Sequence, residues 1–477
     1  MKMSRLWLLC SVAIISSCTV GPDYKRPQLF PDSDIAESLQ LSGKENTINQ
    51  EWYKEFNDVF LNTLIAQGLE YSPNIQVAIE KLRQARQNLR INAVQNLPII
   101  DADGSYNYSN NSINYGIPVS TDYYQVGLDA SWELDIWGGG RRLTESSLAM
   151  LKSASANLDN VRLSLTAEIA GNYFKLRQAQ EQLRIAEKNL NLQSDIYKLV
   201  KDKYDVGLSD DITLNQSLYL LQTTQAGIPE LKSEIENYQN SLAILVGRLP
   251  GQLQSLLSDP KSNPVAHKFE YDLSSLYDLP LDVIRNRPDV RIAEAELISQ
   301  NAKIGQAISK LFPNISISGF LGWQAKNLSS LISSDTDVYN YSPAISLPLF
   351  HWGALTNNVE LQKSLTKEQL YLYKNSLLAA TSEIRTSISN INQEYERNSA
   401  TKQALEAQEQ VSELTLLKYK QGLVEFSEVL TAEQNLLSAQ KDNIISNSNI
   451  YQDLISFYKM IGGGYGTTKK TYSAEKC

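Results

Sequence analysis

Residues 354–461 contain no proline and only one glycine, Gly422, and this stretch limits most strongly what the chain can fold into. Four of its apolar residues recur at intervals of seven, the spacing of a packed helix seam: Leu370, Leu377, Ile384 and Ile391. The pattern predicts two helices folded back on each other, with the turn at 420–427. The first arm, 354–419, would be about 100 Å long, far longer than a globular core requires.

The chain repeats its landmark residues at a constant offset of 215 positions. The pairs are Pro73 and Pro288, Pro98 and Pro313, Trp137 and Trp352, Gly207 and Gly422, and Gly247 and Gly462 (for example 288 − 73). A register kept across proline, tryptophan and glycine indicates a duplicated half rather than two unrelated hairpins. We therefore expect repeats at 51–247 and 281–462. The proline-containing segment between them, 248–280, is predicted to be an irregular linker.

Each repeat is expected to begin with a helix and to end in a long helical hairpin. The hairpins are predicted at 141–247 and 354–461, and the opening helix of the first repeat at 51–95, where apolar residues keep one helical face.

The N-terminus has the features of a lipoprotein signal peptide. Lys2 and Arg5 precede an apolar run that ends at Ile15, and two serines lead to Cys18. A basic start and a short apolar core are typical of secretion, and the run is too short to span a bilayer. Because Ile-Ser-Ser-Cys is similar to a lipobox, we expect residues 1–17 to be removed and Cys18 to carry a covalent lipid. The alternative is ordinary cleavage that leaves Cys18 without lipid.

The two ends of the mature chain are predicted to lack packed structure. Residues 18–50 contain prolines and few apolar side chains, so they are expected to be extended and without a helix, and 463–477 is expected to be a polar tail. Cys477 would then be a lone thiol, which excludes an intramolecular disulfide.

Composition excludes several functional classes. The net charge of −9 argues against a nucleic-acid partner. The two histidines, His267 and His351, are not near a second plausible ligand motif, and the acidic residues form no catalytic pair. We therefore expect no enzyme activity, no metal and no cofactor other than the lipid.

Four segments change from helical to strand periodicity. Apolar and polar residues alternate in 99–110 and 123–137, and the same alternation returns in 314–324 and 338–350. The acidic residues of the polar face are Asp101, Asp103, Asp129, Glu133 and Asp135. Strands of this length, tilted by 45°, cross roughly 30 Å, the thickness of a bilayer core. Aromatic residues gather at the strand ends, as they do in membrane girdles, which favours a membrane sheet over an amphipathic sheet on a soluble core.

Four strands cannot close a barrel, and open sheet edges are not tolerated in hydrocarbon. Oligomerisation is therefore required. Two chains would supply eight strands and three would supply twelve, and the pattern leaves both open.

Taken together, these features resemble the TolC-type outer-membrane efflux proteins. The resemblance rests on Cys18, on Gly-Pro-Asp-Tyr-Lys-Arg-Pro at 21–27, on the duplicated strand pairs between long helices, and on two Tyr-x-x-Gly turns. It is closest to the NodT/OprM-like lipoprotein branch that serves resistance–nodulation–division pumps.

The resemblance implies an α+β membrane protein with internal duplication. Its homotrimer would form a 12-stranded outer-membrane β-barrel, four strands per chain, continuous with a long α-helical barrel in the periplasm. The acidic lumen of the β-barrel would be lined by the inward strand residues Asp101, Asp103, Asp129, Glu133 and Asp135. The implied partners are outer-membrane lipid, a periplasmic adaptor and an inner-membrane pump.

The resemblance also places candidate functional residues at the helical turns. In the family, acidic side chains six and nine residues after the second turn glycine ring the closed pore; here these positions are Glu428 and Thr431, and the threonine departs from the pattern. A constriction position five residues after that glycine is Ser427. Further gate candidates are Asp210, Asp211, Glu425, Tyr204 and Tyr419, and the adaptor-contact candidates are Gly207, Leu208, Gly422 and Leu423. Alternatively, the aspartates cap a helix and the tyrosines belong to the seam.

Three alternative functions are considered for such a chain. The first is a passive exit duct for drugs and other toxic small molecules, driven by an inner-membrane pump and gated at the periplasmic helical tip. The second is the same duct in type I protein secretion with an ABC transporter. The third is a non-conducting, lipid-anchored coiled-coil scaffold of the envelope, against which the four alternating strands argue.

Overall fold

The computed structural model describes residues 19–40, 49–110, 120–257, 263–266, 268–280 and 282–465. The predicted signal peptide, Cys18 and the tail from residue 466 lie outside these ranges. The chain divides into two compact units. The first takes its described residues from Met1–Pro27, Glu80–Ser155 and Ile292–Asn375, and the second from Gln28–Ile79, Ala156–Arg291 and Ser376–Cys477.

The described residues are mostly helical. The α-helices are α1 (Asp32–Leu39), α2 (Val59–Tyr71), α3 (Pro73–Val94), α4 (Gly139–Asp205), α5 (Asp211–Leu245), α6 (Gln254–Leu257), α7 (Val283–Asn286), α8 (Pro288–Ser309), α9 (Ala354–Lys420) and α10 (Phe426–Met460). Short 3₁₀ helices lie at Trp52–Phe56, Pro264–Ala266, Leu273–Tyr277, Leu328–Ser330 and Gly462–Gly464. The strands are β1 (Ile99–Asn110), β2 (Ser120–Glu133), β3 (Asn314–Ala325) and β4 (Asp337–Ser346).

Most elements of the second half lie 215 residues after a counterpart in the first. α3, α4 and α5 correspond in this way to α8, α9 and α10 (288 − 73, 354 − 139 and 426 − 211), with equal lengths of 22, 67 and 35 residues. β1 and β3 share the offset at both ends (314 − 99 and 325 − 110). The duplication that the landmarks predict is therefore visible in the backbone.

The strands form one antiparallel sheet in the order β1-β2-β3-β4. The register places Asp129 opposite Asp101 and Phe320, and Leu128 opposite Ala102 and Leu321. Because alternate residues point to opposite faces, one face is polar and acidic and the other is apolar, as the alternation predicts. Residues of the apolar face are strongly exposed in the single chain; examples are Ile100, Leu321, Tyr341 and Ile345.

Phe320 interrupts the polar face of β3, and the structure supplies the reason. A Cβ added to Gly127 would lie 2.5 Å from Phe320 Cζ, and one added to Gly322 would lie 2.8 Å from the same atom. The ring therefore occupies the space that two glycines leave open, and Phe320 is buried. Aromatic cover of this kind supports glycines within a sheet.

The segment 18–50, predicted to be extended, contains a helix, so that prediction is wrong for α1. Ile35 and Leu39 lie four residues apart and are both buried. One apolar stripe at helical spacing lets a short helix bury a face, although the segment as a whole is polar. Pro31 is compatible with the helix because it lies just before the first turn.

The helical pattern over 51–95 is divided into three helices. The carboxylate of Asp58 accepts hydrogen bonds from the backbone N–H groups of Phe60 and Leu61, at 2.9 and 3.0 Å, and so begins α2 as a new helix. Pro73 begins α3, because a residue without an N–H suits the first position of a helix.

β2 ends at Glu133 and not at 137, so Asp135 lies after the strand and not within it. Its carboxylate accepts hydrogen bonds from the backbone N–H groups of Gly140 and Arg141, at 3.0 and 2.9 Å. Asp135 thereby binds the first turn of α4 and leaves the row of strand carboxylates to which the sequence assigned it. β4 likewise ends at Ser346 rather than at 350, two residues before Pro348.

The core of the second unit contains a cluster of aromatic side chains. Trp52 stacks on Tyr458 with 5.1 Å between ring centroids, and Phe174 stacks on Tyr451 at 4.1 Å. Phe56 meets the edge of Phe174 at 5.1 Å. The 3₁₀ helix before α2 is therefore packed against α4 and α10 by aromatic contacts.

The linker is also fixed to helices of the second unit. The side-chain amide of Asn263 donates to the carbonyl oxygen of Arg177 at 2.7 Å, and Asn447 donates to the carbonyl oxygen of Val265 at 3.1 Å. Val265 is fully buried. The irregular segment thus has specific contacts with α4 and α10.

A partly buried aspartate of α10, Asp453, is influenced by a carboxylate of α9, Glu394, in the second unit. Glu394 accepts hydrogen bonds from Ser446 at 2.6 Å and from Arg397 at 3.2 Å. Burial raises the pKa of Asp453 to about 6, and the negative charge of Glu394 adds to this shift. Ionising Asp453 therefore opposes folding.

We expect Asp453→Asn to remove a pH-dependent part of the stability. The pKa of Asp453 is about 6 in the folded chain, above the value of about 3.9 for an unfolded aspartate, so the folded state binds the proton more tightly. The stability of the wild type, relative to the variant, should be greatest below about pH 4 and should be lost as the pH rises to about 6. Thermal unfolding midpoints across this range measure the effect. Parallel curves for wild type and variant would contradict it, and Asp442→Asn, at an exposed position of α10, is the control.

Candidate functional site

The two long helices α4 and α9 end in the same backbone motif. At the end of α4, the N–H of Leu208 donates to the carbonyl oxygen of Lys203 at 2.7 Å, and the N–H of Gly207 donates to that of Tyr204 at 2.9 Å. At the end of α9, the N–H of Leu423 donates to the carbonyl oxygen of Lys418 and the N–H of Gly422 donates to that of Tyr419, both at 3.0 Å. This pattern is the Schellman motif, whose residue after the helix adopts a left-handed conformation. Gly207 and Gly422 have φ of 77° and 76°, which explains why glycine occupies both positions.

The return helices begin differently in the two hairpins. Asp210 is the N-cap of α5, and its carboxylate accepts a hydrogen bond from the N–H of Thr213 at 2.8 Å. Hydrogen bonding by the side chain of Thr213, together with this backbone N–H, lowers the pKa of Asp210. Glu425 is the N-cap of α10, and its side chain makes no capping hydrogen bond in the described structure. The capping alternative therefore holds for Asp210.

The tyrosines of the two turns have different surroundings. Tyr204 is 36% exposed and donates a hydrogen bond to Asp211 at 2.8 Å, within its own hairpin. Tyr419 is 7% exposed and meets the edge of the Phe426 ring at a centroid distance of 5.4 Å. Asp211 and Phe426 occupy equivalent positions (426 − 211 = 215). The change from aspartate to phenylalanine at this equivalent position therefore replaces an exposed hydrogen bond to Tyr204 with a buried aromatic contact to Tyr419.

An apolar cluster near the turns joins the two hairpins. Its buried members are Ile196 and Val200 of α4, Tyr419 of α9, and Phe426 and Val429 of α10. We call these five residues the tip cluster. Their burial removes apolar surface of both hairpins from water, so the cluster holds the hairpins together.

Lys203 adds a polar contact between the hairpins. Its ammonium lies 4.3 Å from the centroid of the Tyr419 ring and donates to the carbonyl oxygen of Tyr419 at 3.4 Å. Burial raises the pKa of Tyr419, and the charges of Asp210 and Glu425 raise it further. The structure therefore brings together four charged or phenolic groups at this end of the hairpins.

The remaining gate candidates lie on the exposed side of α10. Glu428 and Thr431 are exposed and one turn apart, so they share a face, and Ser427 is also exposed. The hydroxyl of Thr431 donates to the carbonyl oxygen of Ser427 at 2.9 Å. Phe426 and Val429 point to the opposite side, into the tip cluster. This face of α10 is therefore free to meet solvent or another molecule.

The adaptor-contact candidates form two small apolar projections. Leu208 is 77% exposed and Leu423 is 68% exposed, each directly after its turn glycine. A Cβ added at either glycine would meet no atom within 4 Å, so the turns stand clear of the described chain.

The acidic strand residues lie close together on one face of the sheet. Asp101 lies directly opposite Asp129, and Asp103 is two residues further along β1 on the same face. Glu133 ends β2 on that face. Directly opposed like charges destabilise a sheet unless water or counterions surround them. The polar face is thus suited to an aqueous environment.

Sequence reasoning missed buried polar side chains on the long hairpins. Glu433 is buried and accepts a hydrogen bond from the buried hydroxyl of Ser412 at 2.5 Å, and burial raises the pKa of Glu433. Neither amide atom of Gln193 has a hydrogen-bond partner within the described residues. The sequence signal for the burial of Gln193 is its place three residues after Leu190, at a seam position where an apolar residue is usual.

Two further observations concern metal binding and membrane-spanning helices. No group of three or more His, Cys, Asp or Glu side chains is placed to hold a metal ion in the described part of the chain. Of the helices within the described ranges, none combines the length and the apolar content needed to cross a membrane.

Comparison with known sequences gives a family match. The sequence model described as outer membrane efflux protein matches residues 64–248 and 279–463. The two ranges have the offset of the duplication at both ends (279 − 64 and 463 − 248, each 215).

Similar proteins match almost the whole chain. The cation efflux system protein CusC of Escherichia coli O157:H7 is 26% identical over 98% of this chain and 100% of its own length. Nodulation protein T of Rhizobium leguminosarum bv. trifolii is 27% identical over 96% of this chain and 97% of its own. Among solved structures, the outer-membrane channel OprN is similar with a TM-score of 0.85 and 29% identity, covering 94% of this chain and 100% of that chain.

We expect Phe426→Ala to loosen the contact between the hairpins. The substitution empties the centre of the tip cluster, and a buried Phe→Ala change costs about 3 to 5 kcal/mol. Hydrogen exchange should accelerate in residues 416–430 and also in 196–204, across the contact. Asp211→Ala, at the equivalent position, is the control and should affect only the first hairpin. Unchanged exchange in 196–204 of the Phe426 variant would show that the cluster does not join the hairpins.

Proposed function

The chain belongs to the outer membrane efflux protein family, and from this premise we propose that it is the exit duct of a tripartite efflux pump. The duct passively conducts drugs and other toxic small molecules out of the cell. Three copies close a twelve-stranded barrel in the outer membrane, and their long helices surround a periplasmic conduit. An inner-membrane pump supplies the energy, and a periplasmic adaptor joins the pump to the duct.

The sheet is the observation that carries this proposal. Its four strands have an exposed apolar face, an acidic polar face and two outer edges, on β1 and β4. An apolar face suits lipid, a polar face suits water, and the edges need partners because hydrocarbon supplies no hydrogen bonds. Neighbouring copies provide these partners, and the acidic face with Asp101, Asp103, Asp129 and Glu133 then lines the lumen.

The helical turns are the proposed periplasmic end of the duct. The exposed side chains of Leu208 and Leu423 offer apolar contacts to the adaptor. Cys18 carries the lipid that holds the chain at the outer membrane.

The exposed face of α10 is the proposed gate. Three copies of Glu428, with Ser427 and Thr431 beside them, surround the pore at its periplasmic end. Like carboxylates that approach each other resist simultaneous ionisation and attract cations. The tip cluster and the contact of Lys203 with Tyr419 keep each copy's hairpins together in the closed state.

We expect Glu428→Gln to lower cation selectivity. Removing three carboxylates from the narrowest part of the pore should reduce the cation-to-anion permeability ratio by roughly twofold or more, because the local negative potential is lost. Conductance of the purified protein in planar bilayers, with a salt gradient, measures the ratio. Glu428→Asp keeps the charge and is the matched control.

Two outcomes would contradict the proposal. If neither the wild type nor Glu428→Ala forms channels, the protein is not a duct. If deletion of the gene leaves susceptibility to dyes, detergents and antibiotics unchanged while protein export fails, the cargo is protein instead.

A further inference from the structure

Residues 19–27 directly follow Cys18 and lie against α4 and α8 within the first unit; we call them the anchor strap. The N–H of Val20 donates to the carbonyl oxygen of Trp137 at 3.0 Å, at the junction of β2 and α4. The side chain of Asn301 in α8 donates to the carbonyl oxygen of Pro22 at 3.0 Å. The strap is therefore bound through its backbone as well as its side chains.

Arg142 is the centre of this contact. Its side chain is only 4% exposed, and its guanidinium donates to the carbonyl oxygens of Val20 and Gly21, both at 3.1 Å. It also donates to the carboxylates of Asp23 and Glu145, each at 2.7 Å. A buried guanidinium needs such partners, and three of these four acceptors belong to the strap. Arg142 would thus lose most of its partners if the strap detached.

The strap crosses α8 at a contact between two glycines. A Cβ added to Gly21 would lie 2.4 Å from the Cα of Gly305, and Gly21 has φ of 91°. A Cβ added to Gly305 would lie 2.7 Å from the carbonyl oxygen of Val20 and 2.8 Å from Arg142 Cγ. Both positions therefore require glycine for the strap to lie where it does.

The far end of the strap is held by a single carboxylate. Glu294 of α8 accepts two hydrogen bonds from the guanidinium of Arg26, at 2.6 and 2.9 Å, and one from the hydroxyl of Tyr24 at 3.1 Å. A bidentate arginine–carboxylate pair fixes orientation as well as distance.

The residues of this binding site are not repeated at the equivalent positions of the duplication. The strap-binding residues of α4 and α8 are Arg142, Glu294, Asn301 and Gly305, and the residues 215 positions away are Asn357, Ile79, Arg86 and Arg90 (357 − 142, 294 − 79, 301 − 86 and 305 − 90). None of the four is the same in both repeats, although the proline, tryptophan and glycine landmarks are kept. In particular, Arg90 occupies the position equivalent to Gly305, where the close contact with the strap requires glycine. The repeats have therefore diverged at the residues that bind the strap.

We propose that docking of the anchor strap on Arg142 and Gly305 fixes the membrane anchor beside the junction of β2 and α4, and that this docking is needed for copies of the chain to assemble. Arg142 is a positioning residue in this scheme, because it acts through the strap. The lipid on Cys18 is then held at one defined corner of the sheet in each copy. The assembly step rests on the proposed trimeric duct, whereas docking itself is tested without it.

Trypsin cleavage after Lys25 in the purified full-length protein measures docking, because a protease needs a stretch of chain that has come loose. We expect Gly305→Ala and Gly21→Ala each to accelerate this cleavage by about tenfold, since both substitutions push the strap off α8. The fraction of heat-resistant oligomer in outer-membrane preparations should fall with both variants. Alanine normally favours a helix over glycine, so a loss with Gly305→Ala cannot come from a weaker α8.

Arg142→Gln should have the same two effects, and Arg142→Lys should restore part of the protection because it keeps the charge but not the planar fork. Asn357→Ala, at the equivalent position of the second repeat, is the matched control and should change neither readout. Unchanged cleavage in both glycine variants would overturn docking. Faster cleavage with normal assembly would overturn the assembly role. An absence of channels from correctly assembled wild type would instead count against the proposed duct alone.

Discussion

The outer edges of β1 and β4 carry backbone N–H and C=O groups that have no partner within the described sheet, which ends at these two strands. In water such edges are solvated, but in hydrocarbon each unpaired group costs several kcal/mol. The exposed apolar face of the same sheet favours lipid. The apolar face can lie in lipid and the edge groups can be hydrogen-bonded at the same time only if other copies of the chain pair with the edges. Assembly, the lumen and the gate of the proposed duct all depend on that pairing.

Duplication supplies a nearly symmetric scaffold, and the informative features lie where the halves differ. At the turns, Asp211 and Phe426 occupy equivalent positions but produce an exposed hydrogen bond in one hairpin and a buried aromatic contact in the other. At the sheet, Arg142 and Gly305 have the counterparts Asn357 and Arg90, so the equivalent positions lack the residues that bind the strap. Helix lengths and glycine turns, in contrast, are kept. The backbone framework thus repeats while specific contacts have diverged.

Periodic features of the fold were predictable from the sequence, whereas individual contacts were not. The four strands and the two long hairpins follow from repeats of two and seven residues extended over many positions. Helix α1 was missed because its signal is one pair, Ile35 and Leu39, in a polar segment. Asp135 fits the strand alternation, yet its carboxylate is bound by backbone N–H groups of α4, a contact that depends on the geometry of the corner. The roles of the turn tyrosines could not be separated either, because the residue that decides between them lies seven positions further along the chain.

The number of copies in the folded protein tests this account most directly. Native mass spectrometry of material extracted from outer membranes in mild detergent would measure it, with circular dichroism to establish that the protein remains folded. The account predicts a complex of three chains that separates only when the sheet unfolds. A stable monomer that keeps its strands in detergent would show that the sheet edges need no partner chain, and the proposed barrel would then be wrong.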